Sequence, residues 1–105
     1  METQKTVSDW ATKTFGYPKS PEVAIQRMLK ECKELEEKLE MKICNNSQYE
    51  KYADEIADIF ITGYQAMTTL GFSVQGCIDH KMEINRHRKW ILDGVGGGQH
   101  VEENK

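Results

Sequence analysis

The apolar side chains of the chain recur three or four positions apart in four successive segments. This spacing places them on one face of an α-helix, so we predict a helix in each segment. The four segments are residues 3–15, 21–43, 48–70 and 74–91. Stop and start signals separate the first two, because Gly16 follows one helix and Ser20 with Pro21 begins the next. No segment shows the alternation typical of a β-strand, and this favours an all-α fold.

The third segment is apolar over most of its circumference. Its main stripe and the positions that widen it are Tyr49, Ile56, Phe60, Met67 and Leu70, then Ile59, Ile61 and Tyr64. Such a helix needs cover from two directions, which other helices of the chain or a second subunit can supply. We predict an antiparallel bundle of about four helices, and its completion by homo-oligomerisation is one of these two alternatives.

The chain has the size of one domain. Its 105 residues contain no convincing repeat and no internal linker, so we assign residues 1–92 to a single domain. We expect residues 93–105 to form a flexible tail, because glycine occupies four of the six positions 93–98.

Charge and composition argue against several functions. The net charge of −3 disfavours a sequence-independent nucleic-acid binder, which needs a basic surface. No apolar run approaches the roughly 20 residues that span a bilayer. The three cysteines show no CxxC spacing, which indicates free thiols rather than disulfides or a zinc site. We predict a cytoplasmic protein without membrane or nucleic-acid partners.

Two pairs of acids carry the candidate chemistry. Glu31 and Glu34 lie three positions apart in the second predicted helix, as Glu55 and Asp58 do in the third. If antiparallel helices bring both pairs together, a hard divalent cation such as Mg²⁺ or Mn²⁺ would offset their repulsion. Asp58 lies in the most apolar run of the chain, where a carboxylate is costly to bury unless paired or metal-bound. For Glu31 and Glu34 alone, an ordinary solvated helix face is the alternative.

A polar face follows on the fourth predicted helix. Lys81, Asn85 and Arg88 are spaced i, i+4 and i+7 and therefore share one side of that helix. Lysine and arginine together suit phosphate. The alternatives are ion pairs with carboxylates of other helices and nucleic-acid contact through residues 86–90. A metal cluster beside a phosphate-binding face indicates phosphoryl chemistry on a nucleotide.

These motifs in this order resemble a known family. Glu31-x-x-Glu34, then Glu55-x-x-Asp58, then Lys81-x-x-x-Asn85-x-x-Arg88 is similar to the signature of the MazG-like, all-α nucleoside triphosphate pyrophosphohydrolases. The resemblance covers residues 25–90. Trp10 and Phe15 near the N-terminus look more like the short single-domain phage and bacterial members than the long two-domain ones.

The resemblance implies Mg²⁺-dependent hydrolysis of (d)NTPs to (d)NMP and pyrophosphate, with Mn²⁺ able to substitute, and a dATP or dGTP preference. It also implies a homodimer or a tetramer. The implied site has metal ligands Glu31, Glu34, Glu55 and Asp58, of which Glu34 and Glu55 are also catalytic, and phosphate ligands Lys81, Asn85 and Arg88. Trp10 is the candidate for stacking on the base, with packing in the core as its alternative.

Two other functions compete with this hypothesis. The first is a non-catalytic helical dimer that binds nucleotide or a protein partner, which would show no hydrolysis. The second is a carboxylate-bridged di-iron bundle, which uses Glu-x-x-His pairs. No glutamate in the chain has a histidine three residues later, and this argues against the di-iron class.

Overall fold

The structure, a computed structural model, describes residues 1–41 and 46–102. Within them lie four helices and one two-stranded sheet. The elements are α1 Gln4–Phe15, α2 Pro21–Glu40, α3 Asn46–Leu70, α4 Val74–His87, β1 Trp90–Leu92 and β2 Gly98–His100. The all-α prediction is confirmed, although the short sheet was not expected. The predicted end of the second helix at residue 43 falls outside the described residues.

The first helix boundaries follow the capping signals of the sequence. Thr3 and Thr6 form a reciprocal capping box at the start of α1, and Gly16 ends this helix with a φ of 83°. Ser20 accepts a hydrogen bond from the Val23 N–H at 3.3 Å, and Pro21 is the first residue of α2. The predicted loop between the two helices is therefore confirmed.

Helices α1, α2 and α3 form one compact unit, residues 1–74. Residues early in α2 face residues late in α3, because a Cβ at Gly63 would lie 3.4 Å from Met28 Sδ, while Lys38 pairs with Glu55. The two helices are therefore antiparallel, as predicted. None of the described helices is long and apolar enough to cross a membrane.

Helix α1 packs on α3 through small and polar side chains. Ser8 and Thr68 share a hydrogen bond of 2.8 Å between their hydroxyl groups. The Gln4 amide donates to the Phe72 carbonyl at 2.9 Å and accepts from the Val74 N–H at 2.7 Å. These bonds join the start of α1 to the end of α3, so this pair is antiparallel too.

The outer face of α3 is exposed in the single chain. Tyr49, Ile56 and Phe60 of the main apolar stripe are 66%, 41% and 62% exposed, so the single chain covers α3 from one side only. Asp58 is exposed as well, and the expected cost of burying it does not arise within one chain. The inner face is formed by half-buried Glu55 and its neighbours one turn away instead.

The second compact unit, residues 75–105, contains most of α4 and the hairpin. Helix α4 ends at His87 rather than at residue 91. The Asn85 carbonyl accepts hydrogen bonds from the Arg88 N–H at 3.3 Å and from the Trp90 indole N–H at 3.0 Å. In a continuing helix that carbonyl would accept from the Lys89 N–H, so these contacts end the helix.

A short hairpin lies at the start of the segment that is predicted to be a flexible tail. Strands β1 and β2 pair antiparallel, with Trp90 opposite His100. In the loop between them, Asp93 Oδ1 accepts from the N–H groups of Val95 and Gly97, both at 2.9 Å. Gly98 is required here, because a Cβ would lie 2.6 Å from the Ile91 carbonyl oxygen. The domain boundary at residue 92 stays a prediction.

Candidate metal and nucleotide site

Three carboxylates meet where α2 packs on α3. Glu31 and Glu34 lie on one face of α2, and the antiparallel pairing brings Glu55 of α3 opposite them. One oxygen from each of the three lies within 4.8 Å of the others. The structure thus brings together three of the four acids that the sequence singled out.

The charges within this acid cluster repel one another. The pKa of the Glu31 carboxyl is raised above its usual 4.5, first by burial, then by hydrogen bonding with Glu34 and by its charge. The charges of Asp58 and Glu55 raise this pKa further. An excess of negative charge in a partly buried cluster favours a cation at its centre.

Glu55 is largely enclosed within the acid cluster. Its side chain is 13% exposed, and its Oε1 accepts a hydrogen bond from the Lys38 ammonium. Its Oε2 is buried and has no hydrogen-bond partner among the described residues. A buried carboxylate oxygen without a partner is costly, so a metal ion fits this position.

Asp58, the fourth predicted ligand, lies outside the group of three. It is exposed on α3, one turn beyond Glu55. Its charge still raises the pKa values of Glu31 and Lys38, so it belongs to the same electrostatic environment. Its role as a metal ligand stays a prediction.

A cleft of 300 Å³ adjoins the acid cluster at Glu31. It is lined by Trp10, Ala11, Phe15, Arg27, Lys30, Glu31, Ile61, Thr62 and Gln65. Trp10 is 54% exposed and packs edge-on against Phe15, with ring centroids 5.5 Å apart. Trp10 is therefore a wall of this cleft rather than a buried core residue, and its contact with a base stays a prediction.

The structure adds two residues that sequence reasoning missed. Lys38 binds Glu55, and its only signal in the sequence is its place one turn after Glu34. Gln65 lines the cleft at 6% exposure, and its Nε2 has no hydrogen-bond partner among the described residues. The available sequence signal for Gln65 was its position as a polar amide within an otherwise apolar helix.

The predicted phosphate ligands belong to the unit formed by α4 and the hairpin. Lys81 is exposed, while Asn85 and Arg88 are half-buried. Within the described part of this unit, neither Lys81 nor Arg88 forms an ion pair. Arg88 lines a cleft of 790 Å³ whose walls also include all three histidines, His80, His87 and His100. Binding of phosphate by Lys81, Asn85 and Arg88 stays a prediction.

Similarity to known proteins is found among solved structures. No family model matches the sequence, and a search of curated proteins finds no significant match. Among solved structures, the chain is similar to the cyanophage S-2L MazG-like pyrophosphohydrolase, which is bound to dGDP and three catalytic Mn²⁺ ions per active site. The TM-score is 0.70 at 25% identity, over 96% of this chain and 91% of the other. The chain has the MazG-like fold.

This similarity confirms the resemblance to MazG-like proteins that the sequence motifs indicate. The match spans nearly the whole length of both chains. Within the MazG-like signature, the structure joins the first acid pair to Glu55 and places the Lys81, Asn85 and Arg88 face on α4.

Proposed function

We propose that the protein is a divalent-metal-dependent nucleoside triphosphate pyrophosphohydrolase. Water adds across the bond between the α- and β-phosphates of a (d)NTP, which yields (d)NMP and pyrophosphate. The observation that carries this proposal is the cluster of Glu31, Glu34 and Glu55, with its unpartnered buried oxygen, on the MazG-like fold. The solved neighbour holds a nucleotide and Mn²⁺ on the same fold.

We assign metal binding to Glu31, Glu34, Glu55 and Asp58. Oxygen ligands without histidine or cysteine suit Mg²⁺, which we take as the cofactor, and Mn²⁺ would substitute for it. When bound, the metal neutralises phosphate oxygens and makes a water easier to deprotonate. Glu34 and Glu55 act as the catalytic carboxylates, which orient that water and accept its proton.

We assign the base to the cleft beside Glu31. Trp10 offers an exposed aromatic face for stacking, and the buried Gln65 amide provides a donor for an acceptor on the base edge. Because the cleft and the acid cluster share Glu31, a nucleotide with its base in the cleft has its phosphates near the acids. We assign phosphate binding to Lys81, Asn85 and Arg88 of α4, as the sequence motif predicts.

Purine deoxynucleotides are the substrates that we propose. The solved neighbour is bound to dGDP, which supports dGTP, and dATP offers the same two-ring surface to Trp10.

We also propose that the active form is a homodimer or a dimer of dimers. The only buried apolar residues in the described chain are Ala11, Ala24 and Ala66, so one chain has a very small core. The exposed stripe of Tyr49 and Phe60 on α3 needs a partner surface, which a second copy can provide.

Product analysis tests the proposed activity. The metal-stripped protein is incubated with each (d)NTP and Mg²⁺ or Mn²⁺, and pyrophosphate and orthophosphate are measured separately. We expect pyrophosphate with dGTP and dATP, no product without metal, and full activity in Glu36→Gln, an exposed acid on α2. Release of orthophosphate would indicate a phosphatase instead. No hydrolysis of any nucleotide would favour the non-catalytic binding module.

A further inference from the structure

Lys38 contacts the acid cluster directly. Its ammonium donates to Glu55 Oε1, and the two side chains are 38% and 13% exposed. The other ion pair among the described residues, Lys5 with Asp9, is 82% and 64% exposed and lies on the open surface of α1. The Lys38 pair is therefore a partly buried contact, whose strength is less reduced by solvent than that of a surface pair.

Glu55 and Glu34 of the cluster and the neighbouring Asp58 all act electrostatically on Lys38. The pKa of the Lys38 ammonium is raised, first by its hydrogen bond with Glu55 and then by the charges of Glu55, Glu34 and Asp58, while its own desolvation acts in the opposite direction. Lys38 thus supplies positive charge where the carboxylates converge. A divalent cation on those carboxylates would lie a few ångströms from the ammonium and repel it.

We propose that Lys38 is a built-in counter-cation of the metal-free cluster, which competes with the divalent metal for Glu55 and is released when the metal binds. This inference rests on the metal site of the proposed function. It gives Lys38 two opposed effects. Lys38 stabilises the folded chain when the cluster is empty, and it lowers the affinity of the cluster for metal.

Calorimetric titration of Mn²⁺ into the metal-stripped protein tests this competition. We expect Lys38→Met to bind Mn²⁺ about tenfold more tightly than wild type, because a charge-assisted hydrogen bond no longer has to be broken. Without metal, the same variant should melt at a lower temperature. Lys38→Arg keeps the cation and should behave like wild type. Lys33→Met makes the same change of net charge on an exposed part of α2 and is the matched control.

The direction of the change in Mn²⁺ affinity distinguishes a Lys38 that competes with the metal from a Lys38 that only holds Glu55 in place. If Lys38 only held Glu55 in place, Lys38→Met would bind Mn²⁺ more weakly or with equal affinity, and the inference would be wrong while the metal site stood. If neither wild type nor Lys38→Met bound Mn²⁺, the inference and the proposed metal site would both fail.

A second measurement avoids any folding defect in the variant. In wild-type protein, Mg²⁺ is added while the side-chain ammonium signal of Lys38 is followed by NMR. We expect this signal to be visible without metal, because Glu55 holds the ammonium, and to be lost to solvent exchange as Mg²⁺ saturates the site. A Lys38 signal that persists at saturating Mg²⁺ would overturn the proposed release.

Discussion

Glu55 and Asp58 lie one turn apart on α3 in different surroundings. Glu55 is mostly enclosed, with one oxygen on Lys38 and the other without a partner among the described residues. Asp58 is exposed and outside the group of three acids. We therefore expect Glu55 to be the fixed ligand of the metal and Asp58 to be the ligand that adjusts to the bound state.

Glu55→Gln tests the fixed ligand. We expect kcat/KM for dGTP to fall by about a hundredfold or more, because an amide cannot replace the charge of the carboxylate at the metal. Mn²⁺ should raise the melting temperature of the wild type but not that of Glu55→Gln. Glu36→Gln, on the exposed side of α2, should retain both properties. Undiminished turnover in a folded Glu55→Gln protein would contradict the role given to Glu55.

Trp10→Ala tests the base cleft. Loss of stacking should raise KM for dGTP about tenfold, with Mn²⁺ affinity unchanged, because Trp10 does not contact the acid cluster in our assignment. Tyr17→Ala removes an aromatic side chain of similar exposure outside the cleft and is the control. Equal KM values for Trp10→Ala and wild type would place the base elsewhere.

At the scale of residues, the sequence predicted the acids better than their neighbours. Glu31, Glu34 and Glu55 were identifiable because a spacing of three marks one helix face. Lys38 was not, because α2 carries several lysines in a charged run and only the packing of α3 distinguishes one of them. Gln65 was missed because its burial depends on how other helices pack against α3.

The helical elements were predictable wherever local chemistry decides their ends. Ser20 with Pro21, and Gly16, mark boundaries that the structure confirms. The end of α4 was not predictable, because it depends on the indole of Trp90 reaching back to a carbonyl. Strands of three residues are also too short to show an alternating pattern.

The hairpin loop should respond to acid through Asp93. Hydrogen bonds from the N–H groups of Val95 and Gly97 hold the pKa of the Asp93 carboxyl below its usual 3.8. A depressed pKa means that the carboxylate stabilises the folded loop above pH 3.8, and that this stabilisation is lost as the pH falls through the folded value. We expect the protection of the Val95 and Gly97 amides against hydrogen exchange, relative to the intrinsic rate at each pH, to fall in that acid range.

Asp93→Asn is the matched control for this pH dependence. Asparagine keeps an oxygen acceptor but does not titrate, so the exchange of both amides should no longer respond to acid in this way. Asp93→Ala removes the acceptor and should accelerate exchange at neutral pH as well. An acid response that survives in Asp93→Asn would assign the effect to another group.

At the scale of the molecule, the MazG-like fold was predictable from the order of three motifs. The apolar area that α3 exposes was predictable from the helical periodicity, because a helix that is apolar over most of its circumference must be covered on two sides. The partner of that surface was not predictable, since a periodic stripe is the same whether its cover comes from the same chain or from a second one.

Phe60→Ser tests the proposed assembly. Phe60 is 62% exposed in the single chain, so the substitution should leave the monomer folded but weaken association between copies. Light scattering after size-exclusion chromatography should show a shift toward monomer. Tyr17→Ser alters a side chain of 64% exposure away from α3 and should leave the assembly intact. A monomeric wild-type protein would contradict the proposal.

The central claim is that Glu31, Glu34 and Glu55 together hold the catalytic metal. Anomalous X-ray scattering from a crystal grown with Mn²⁺ and a non-hydrolysable dGTP analogue measures this directly. We predict Mn²⁺ peaks about 2 Å from oxygens of all three carboxylates, the distance typical of such small divalent cations. Mn²⁺ bound beside the phosphates but away from these three acids would contradict the account.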